Sequence, residues 1–362
     1  MPYDPDMQPF IDALASLTAS VAALSARVDA LEQAAVPDEP VDPPPPPPPP
    51  PPAVVSLNRK LVGLAIPDGE IMSGTAAKIT RINSLGIKAV RMDLRYETVR
   101  DFGLDHYDGV IRALRSAGIH VLAILGGNLK VATLSEAQAF ATHVGQAVTW
   151  LRDRGVHHIQ WWNEPNHASR ITTPENYTRA IKLAYPAAKQ ANPDVFCVGA
   201  GLSNIPSSVN GHISAADWLT RCYAAGAKGS YDALAGHPYS YPYPLSHPVD
   251  WTGWGVMVRV MRPIMEANGE AAMKLWATEV GFPTTGATDY TEADQNTEFA
   301  QQLVTEMNRH SWMGPAFVYS LDDRGTSSTD FEQVFGLYRA NGTAKPAAAT
   351  IRTAAGAFPA VG

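Results

Sequence analysis

Two glutamates stand in matching sequence contexts, each where an apolar, strand-like run gives way to a turn containing proline or glycine. Glu164 lies in residues 161–166 (WWNEPN) and Glu279 in residues 277–283 (ATEVGFP). Either segment alone is a weak signal, because any surface glutamate can follow a strand. Glycosidic bonds are cleaved by one carboxylic acid that protonates the leaving oxygen and one carboxylate that attacks the opposite face of the sugar. The repeated context therefore indicates this chemistry, with Glu164 and Glu279 as the catalytic pair.

Apolar strand-like runs alternate with amphipathic helices throughout residues 54–362, and the alternation is completed eight times. The predicted strands are residues 61–66, 89–93, 120–125, 158–162, 196–200, 233–237, 275–279 and 316–321. The predicted helices lie near residues 75–85, 105–117, 135–154, 174–191, 214–228, 252–268, 291–310 and 345–356. Eight such rounds predict an α/β fold in which the strands close a (β/α)8 barrel, the TIM barrel.

A barrel of this kind carries its chemistry at the carboxyl ends of the strands, where the loops are free to vary. Glu164 would end strand four and Glu279 would end strand seven, so the two would face each other across the mouth. Cleavage with retention of configuration needs carboxyl groups about 5–5.5 Å apart. The predicted placement suits retention.

Residues 1–35 carry a seven-residue apolar repeat and are predicted to form an α-helical coiled coil. The a positions are Met7, Leu14, Val21 and Val28, and the d positions are Phe10, Leu17, Leu24 and Leu31. Valine at a with leucine at d favours a dimer, whereas small neutral e and g residues permit a trimer, so both homo-oligomers stay open. A helix folded back against the barrel is the alternative to self-association.

Residues 36–53 form a proline-rich linker with an uninterrupted run from Pro43 to Pro52. Such a run has no amide donors and adopts an extended left-handed helix, which spans about 30 Å here. The acidic flanks lack the arginine that a ligand of a proline-binding groove uses. We therefore interpret the run as a spacer between the coiled coil and the barrel.

The composition argues against several classes of function. A net charge of −7 without a basic cluster excludes nucleic acid and anionic membranes as expected partners, and a neutral substrate is expected. The first residues show no export signal, and no apolar run reaches the length of a membrane span. No metal-ligand spacing and no phosphate-binding loop appear, so no metal or cofactor is expected. Cys197 and Cys222 are expected to be buried thiols, although their pairing stays open.

With Asn163-Glu164 closing strand four and Glu279 closing strand seven, residues 54–362 resemble the clan A glycoside hydrolases. Within the clan they look most like family 39 and family 5 bacterial endoglycosidases. The further matching segments are residues 91–93 (RMD), residues 237–239 (HPY), and residues 335–337 (FGL) followed by Lys345-Pro346. The resemblance covers the whole of the predicted barrel.

The resemblance implies a role for each matching residue. Glu164 would be the general acid/base, Glu279 the nucleophile, and Asn163 a donor to the sugar 2-hydroxyl. Tyr239 would hold the nucleophile, and Arg91 would keep Glu279 ionised by charge pairing. Glu164 would need an apolar, less solvated setting in which it stays protonated.

The expected substrate-binding set also includes aromatic side chains, which can stack on a sugar ring. The resembling families usually present a tryptophan at the end of strand eight, whereas this chain has Tyr319, which is expected to replace it. The long loop after strand six supplies Tyr241, Tyr243, Trp251 and Trp254, with core or loop packing as the alternative for each. Arg91 and His237 complete the set, with a structural tie to a neighbouring loop as their alternative.

Two functions fit these features. The first is a retaining endoglycosidase that cuts a bacterial cell-envelope, capsular or exopolysaccharide and is carried on an oligomeric stalk. The second is a non-catalytic, glycan-binding or structural tail protein with the same barrel, which the intact glutamates disfavour. A stalk and a spacer without an export signal suit display on a phage tail, beside other tail proteins, or another extracellular setting. A cytoplasmic glycosidase, or one exported by another route, is the alternative.

Overall fold

The computed structural model describes residues 8–32 and 56–358, except residues 129–130, 169–171, 242, 245–246, 248, 285–289 and 327–328. The chain divides into two compact units, Met1–Ala53 and Val54–Gly362. The boundary coincides with the end of the linker predicted for residues 36–53, and that linker lies outside the described residues.

Eight parallel strands of the second unit close into a barrel in chain order, with the last strand paired back to the first. They are β1 (Val62–Ala65), β2 (Ala89–Leu94), β3 (His120–Leu125), β4 (His158–Trp161), β5 (Phe196–Ser203), β6 (Ala233–His237), β7 (Leu275–Val280) and β8 (Met313–Tyr319). Most of their residues are buried, because helices cover the outside of the barrel and side chains fill the inside. The predicted TIM barrel is confirmed.

Helices surround this barrel. They are α2 (Asp68–Met72), α3 (Thr75–Ser84), α4 (Tyr96–Phe102), α5 (Asp108–Ser116), α6 (Leu134–Arg152), α7 (Pro174–Ala191), α8 (Ala215–Ala224), α9 (Arg262–Ala267), α10 (Glu292–Glu298), α11 (Val304–Arg309) and α12 (Pro346–Ala357). A reciprocal pair of hydrogen bonds between Thr133 and Glu136 begins α6. The single helix predicted for residues 291–310 is divided, because a π-helical segment, Phe299–Leu303, separates α10 from α11.

The barrel interior is layered. An apolar cluster fills its lower part and consists of Leu57, Leu61, Ala65, Ala89, Leu122, Val198, Ala233, Ala235, Trp276 and Phe317. Residues two apart share one face of a strand, so Arg91 follows Ala89 on the inner face of β2, and Thr278 follows Trp276 on β7. The inner face therefore turns from apolar to polar toward the carboxyl ends of the strands, where the predicted site lies.

A second, larger apolar core lies between the strands and the surrounding helices. Cys197 of β5 and Cys222 of α8 belong to it, and both are buried free thiols, as expected. The two cysteines contribute packing rather than a covalent link.

The first unit contains one described helix, α1 (Gln8–Glu32). Five apolar side chains at the predicted a and d positions, Leu14, Leu17, Val21, Leu24 and Val28, are between 49% and 65% exposed. A coiled-coil strand without its partner would present such a stripe. The coiled coil itself stays a prediction.

Across the helices that are described, none has both the length and the apolar character to cross a bilayer.

Candidate active site

Glu164 lies just beyond β4, where the backbone takes a left-handed conformation. Its φ is 44° and that of Trp162 is 45°, which costs residues with a side chain roughly 1–2 kcal/mol each. The Glu164 N–H donates to the carbonyl of Gly201 at 2.9 Å, and Asn163 forms a β-bridge with Gly201. Asn163 and Glu164 thus both line one cavity, although they are consecutive.

Gly201 allows this tether because a side chain would not fit there. A Cβ atom at this position would lie 2.2 Å from His237 Nε2 and 2.8 Å from Gln160 Nε2. The absence of a side chain lets β5 approach the polar layer of the barrel closely.

Glu279 lies in β7, where the pairing with β8 is irregular. The register between the two strands shifts between Ala277 and Val280. Such a bulge can redirect a side chain, which a regular strand would point to the opposite face from its neighbour. Thr278 is buried in the polar layer and Glu279 lines the cavity. The strand irregularity therefore brings the second carboxylate to the site.

His237, at the end of β6, connects the two glutamates. Its Nδ1 lies 2.9 Å from Glu164 Oε1 and 3.7 Å from Glu279 Oε2, and its Nε2 lies 3.2 Å from Thr278 Oγ1. The facing donor atoms of Glu164, His237 and Glu279 all lie within 4.8 Å of one another. The structure thus brings the two predicted carboxylates together across the barrel mouth.

Both carboxylate oxygens of Glu279 accept hydrogen bonds. Arg91 Nη1 donates to Oε1 at 2.5 Å, and the Tyr239 hydroxyl donates to Oε2 at 2.7 Å. Burial opposes ionisation of Glu279, but the charges of His237 and Arg91 and these hydrogen bonds outweigh it and hold the pKa of Glu279 below its usual value. Glu279 is therefore held as a carboxylate, with the contacts expected of Arg91 and Tyr239.

The other two nitrogens of the Arg91 guanidinium donate hydrogen bonds to neighbouring side chains. Its Nε donates to Gln160 Oε1 and its Nη2 donates to Asn163 Oδ1, each at 2.7 Å. Gln160 Nε2 in turn donates to Thr278 Oγ1 at 3.2 Å. Because a guanidinium group only donates, Asn163 must present its oxygen to Arg91, which leaves its amide NH2 free of that contact.

A cavity of about 610 Å³ is lined by both glutamates. One wall is aromatic and consists of Tyr239, Tyr241, Tyr319, Phe331 and Phe335. The polar lining includes Asp93, Arg95, Asn163, His167, Ser203, Asn204, Arg324 and Glu332. Pro67, Arg95 and Arg324 also line a second, neighbouring cavity of about 800 Å³. A cavity lined by both aromatic rings and hydrogen-bonding groups suits a sugar, which has apolar faces and polar edges.

Solved structures match the barrel, whereas no protein-family model and no curated protein sequence does. A family 39 glycoside hydrolase from Bacteroides cellulosilyticus WH2 matches with a TM-score of 0.63 and 21% identity, over 83% of this chain and 64% of that chain. A GH5_18 protein from Streptomyces cattleya, in complex with GlcNAc, matches with a TM-score of 0.62 and 14% identity, over 83% of this chain and 80% of that chain. A glucosidase from Croceicoccus marinus matches with a TM-score of 0.60 and 14% identity, over 82% of this chain and 67% of that chain. The fold is shared with glycoside hydrolases.

Three of the residues expected to contact substrate lie elsewhere. Arg91 and His237 are 3% and 0% exposed and do not line the cavity, because their polar atoms are turned to the glutamates and to the layer below. We assign them to positioning the glutamates. Trp254 is 3% exposed within the outer core and lies outside the cavity lining, as core or loop packing, the alternative weighed for it, requires. Tyr239 and Tyr319 do line the cavity.

The surroundings of Glu164 also differ from the expectation. Its side chain is 21% exposed against 13% for Glu279, and its closest polar neighbour is His237 rather than an apolar wall. The acid/base candidate is thus the more solvated of the two carboxylates. His237 and water, rather than an apolar wall, are thus the groups that contact the Glu164 carboxylate.

Several residues of the site carry no motif in the sequence. Gln160 and Thr278 are polar positions within apolar strands, and that interruption is the signal by which they could be found. Arg95, Arg324 and Glu332 lie in loops at the mouth, and no local pattern distinguishes them from surface charges.

Glu164, His237 and Glu279 also form a group of possible metal ligands within the described residues. Their surroundings do not suit a cation. Both Glu279 oxygens already accept hydrogen bonds, and the Arg91 guanidinium, 2.5 Å from one of them, would repel a metal ion. The donor set fits proton transfer and carboxylate chemistry better.

Proposed function

We propose that residues 54–362 form a retaining glycoside hydrolase that cleaves O-glycosidic bonds of a polysaccharide. The observation that carries the proposal is the placement of Glu164 and Glu279 at the ends of β4 and β7, where one carboxylate oxygen of each lies within 4.8 Å of the other. Retaining enzymes hold their carboxyl groups about 5–5.5 Å apart, whereas inverting enzymes need about 6.5–9.5 Å to admit water between them. The separation therefore supports double displacement.

In the first step of this mechanism, Glu279 attacks the anomeric carbon while Glu164 donates a proton to the leaving oxygen, and a glycosyl ester forms on Glu279. Arg91 and Tyr239 support the role of Glu279, because they hold it ionised and fix its orientation. In the second step Glu164 takes a proton from water, which attacks the same carbon and frees Glu279. The greater exposure of Glu164 gives it the access to water that this step needs.

The remaining cavity residues would bind the sugar. The Asn163 NH2 group, which Arg91 leaves free, would donate to the 2-hydroxyl, and Tyr241 and Tyr319 would pack against the sugar faces. The second cavity, which shares Arg95 and Arg324 with the first, supports binding of a chain longer than one unit, and hence endo action on a polysaccharide.

The decisive experiment is release of oligosaccharides from a panel of cell-envelope, capsular and exopolysaccharides, detected by mass spectrometry. Release by the wild-type protein, absent from the Glu279→Gln variant, would support the proposal. Binding to one of these glycans without release would instead favour the alternative, a non-catalytic glycan-binding protein. Inverted product anomers would contradict the double displacement.

The acid limb of the pH profile tests the ionisation of Glu279. The Tyr239 hydroxyl is one of the groups that lower the pKa of Glu279, so Tyr239→Phe should raise that pKa. Less Glu279 is then ionised at low pH, so the acid limb of kcat/KM should move to higher pH. Tyr185→Phe is the matched control, because Tyr185 donates to Asp232 far from the cavity. An unshifted limb in Tyr239→Phe would contradict this role.

We further propose that α1 joins copies of the chain into a homo-oligomeric coiled coil, a dimer or a trimer. The support is the exposed stripe that contains Leu17, Val21 and Leu24, spaced as a coiled-coil seam requires. An oligomeric stalk followed by a proline spacer supports display of the barrel on a phage tail or elsewhere outside the cell. Immunogold labelling of virions would test the phage-tail setting, and absence of label on virions would exclude that setting.

Removal of residues 1–53 should yield a folded, active monomer, because the barrel unit has its own core. Leu24→Asp in the full chain should also reduce the mass in solution to that of a monomer, since it places like charges at a d position of every strand of the coiled coil. Light scattering measures the mass, and specific activity per chain should stay within about twofold. Ala19→Asp, on the outer f position, is the matched control and should leave the oligomer intact. An oligomer that survives truncation would place association in the barrel.

A further inference from the structure

Asp93 is an ionisable residue of the cavity that the mechanism above does not use. It lies near the end of β2, is partly exposed, and lines the cavity with Glu164 and Glu279. Glu164 is held by His237, and Glu279 is held by Arg91 and Tyr239. Among the residues that the structure describes, none donates a hydrogen bond to the Asp93 carboxylate. The two carboxylate oxygens of Asp93 are therefore available to accept hydrogen bonds from a molecule bound in the cavity.

The position of Asp93 along β2 relates it to Glu279. Residues two apart on a strand share a face and lie about 6.5 Å apart, so Asp93 follows Arg91 on the inner face, one level nearer the mouth. Arg91 is the residue that pairs with Glu279. Asp93 thus stands at the level of a sugar whose anomeric carbon faces Glu279, rather than in the layer below it.

The neighbouring cations do not neutralise Asp93 by direct contact. The three nitrogens of Arg91 donate to Gln160, Glu279 and Asn163, and Arg95 Nε donates to Asp68 at 3.1 Å. Burial raises the pKa of Asp93, although the charges of Arg91 and Arg95 oppose this shift. Arg91 and Arg95 make the surroundings unsuitable for a metal cation, so neutral hydroxyl donors are the ligand that fits.

Asp93 is a partly buried carboxylate to which no described protein group donates, so its hydrogen-bond partners in the free protein are limited to water in the cavity. Burial of a polar group is unfavourable unless it is hydrogen-bonded, so a substrate that displaces this water must supply donors in its place. A carboxylate accepts two hydrogen bonds on its two oxygens, and adjacent hydroxyls of a sugar offer two donors at a matching spacing. The Asp93 carboxylate can therefore accept one hydrogen bond from each of two adjacent sugar hydroxyls.

We infer that Asp93 is a substrate-binding residue that accepts hydrogen bonds from two adjacent hydroxyls of the sugar bound against Glu279. It selects substrates that carry this hydroxyl pair. The inference rests on the proposed function, because the sugar is placed by the glutamate pair. It extends that function from the cleavage chemistry to a stated requirement on the substrate.

The test is kinetic comparison of Asp93→Asn and Asp93→Ala with the wild-type protein on the polysaccharide it cleaves. Hydrogen bonds to a charged group are among the strong ones, so each variant should lose about 10- to 100-fold in kcat/KM. Both variants should keep or gain thermal stability, with Tm up by about 1–3 °C, because an unpaired charge is removed. Asp101→Asn, an exposed carboxylate paired with Arg100, is the matched control and should change neither.

Analogues that lack one of the two hydroxyls give a second readout. The wild-type protein should lose activity on them, whereas Asp93→Ala should lose little more, because its contact is already gone. Activity of Asp93→Asn within twofold of wild type would overturn the inference while leaving the proposed function intact. A fall in Tm together with activity would also overturn it, since that marks a structural role. If the wild-type protein binds a glycan without cleaving it, the same comparison is made on Kd, with the same outcomes expected.

Discussion

Glu279→Gln is expected to lower kcat by about 10⁴-fold or more on every substrate that the wild-type protein cleaves. The amide keeps the size of the side chain but cannot form the glycosyl ester on which double displacement depends. The loss should not depend on the leaving group, because the covalent intermediate precedes every product. Initial rates on the cleaved polysaccharide and on an activated aryl glycoside of the same sugar measure it.

Covalent labelling provides the control for this prediction. A mechanism-based fluorosugar should label the wild-type protein on the peptide that carries Glu279 and should leave Glu279→Gln unlabelled. Glu175→Gln changes a surface carboxylate that pairs with Arg221, and it should retain wild-type turnover and labelling. Turnover near the wild-type level in Glu279→Gln would remove Glu279 from the mechanism.

The barrel could be predicted because its signal is repeated and local. Each strand is a short apolar run between turns, and eight alternations with helices leave few other architectures. Strand ends were less accessible to sequence: β5 continues to Ser203 instead of residue 200, and β8 begins at Met313 instead of residue 316. These residues are held by pairing with neighbouring strands, which a single sequence does not display.

The site could be predicted in its carboxylates and only partly in its surroundings. Glu164 and Glu279 were found because each ends a strand, which is a local feature. The requirement for a glycine at position 201 arises from His237 and Gln160, which lie on two other strands. The sequence near residue 201 contains no signal of this requirement. Contacts that arise from barrel closure follow from the fold rather than from a motif.

Aromatic residues of the loop after β6 show the same limit. Trp254 and Tyr241 look equivalent in the sequence as stacking platforms, yet Trp254 is buried in the outer core and Tyr241 lines the cavity. Tyr241 lies 4.8 Å from Phe331, between ring centroids, and Phe331 comes from the loop after β8. Which aromatic reaches the substrate is decided by packing between distant loops.

Glu164→Gln is expected to separate the two steps that Glu279→Gln abolishes together. Loss of proton donation should lower turnover of the polysaccharide by about 10²–10⁴-fold, because its leaving alkoxide needs protonation. An activated aryl glycoside needs little protonation, so the glycosyl ester on Glu279 should still form in this variant. Its hydrolysis should then stall, because Glu164 is also the base that activates water. A burst of aryl alcohol followed by a slow steady state is the expected time course.

Azide distinguishes this assignment from general damage to the site. Azide attacks the glycosyl ester without needing a base, so it should restore turnover in Glu164→Gln and yield a glycosyl azide of retained configuration. The wild-type protein, Glu175→Gln and Glu279→Gln should show no such rescue. A distorted site would leave Glu164→Gln slow with azide as well, and an inverted azide product would place the nucleophilic role elsewhere. Because Glu164 and Glu279 lie within 4.8 Å and share His237, only their separate chemical behaviour can assign one role to each.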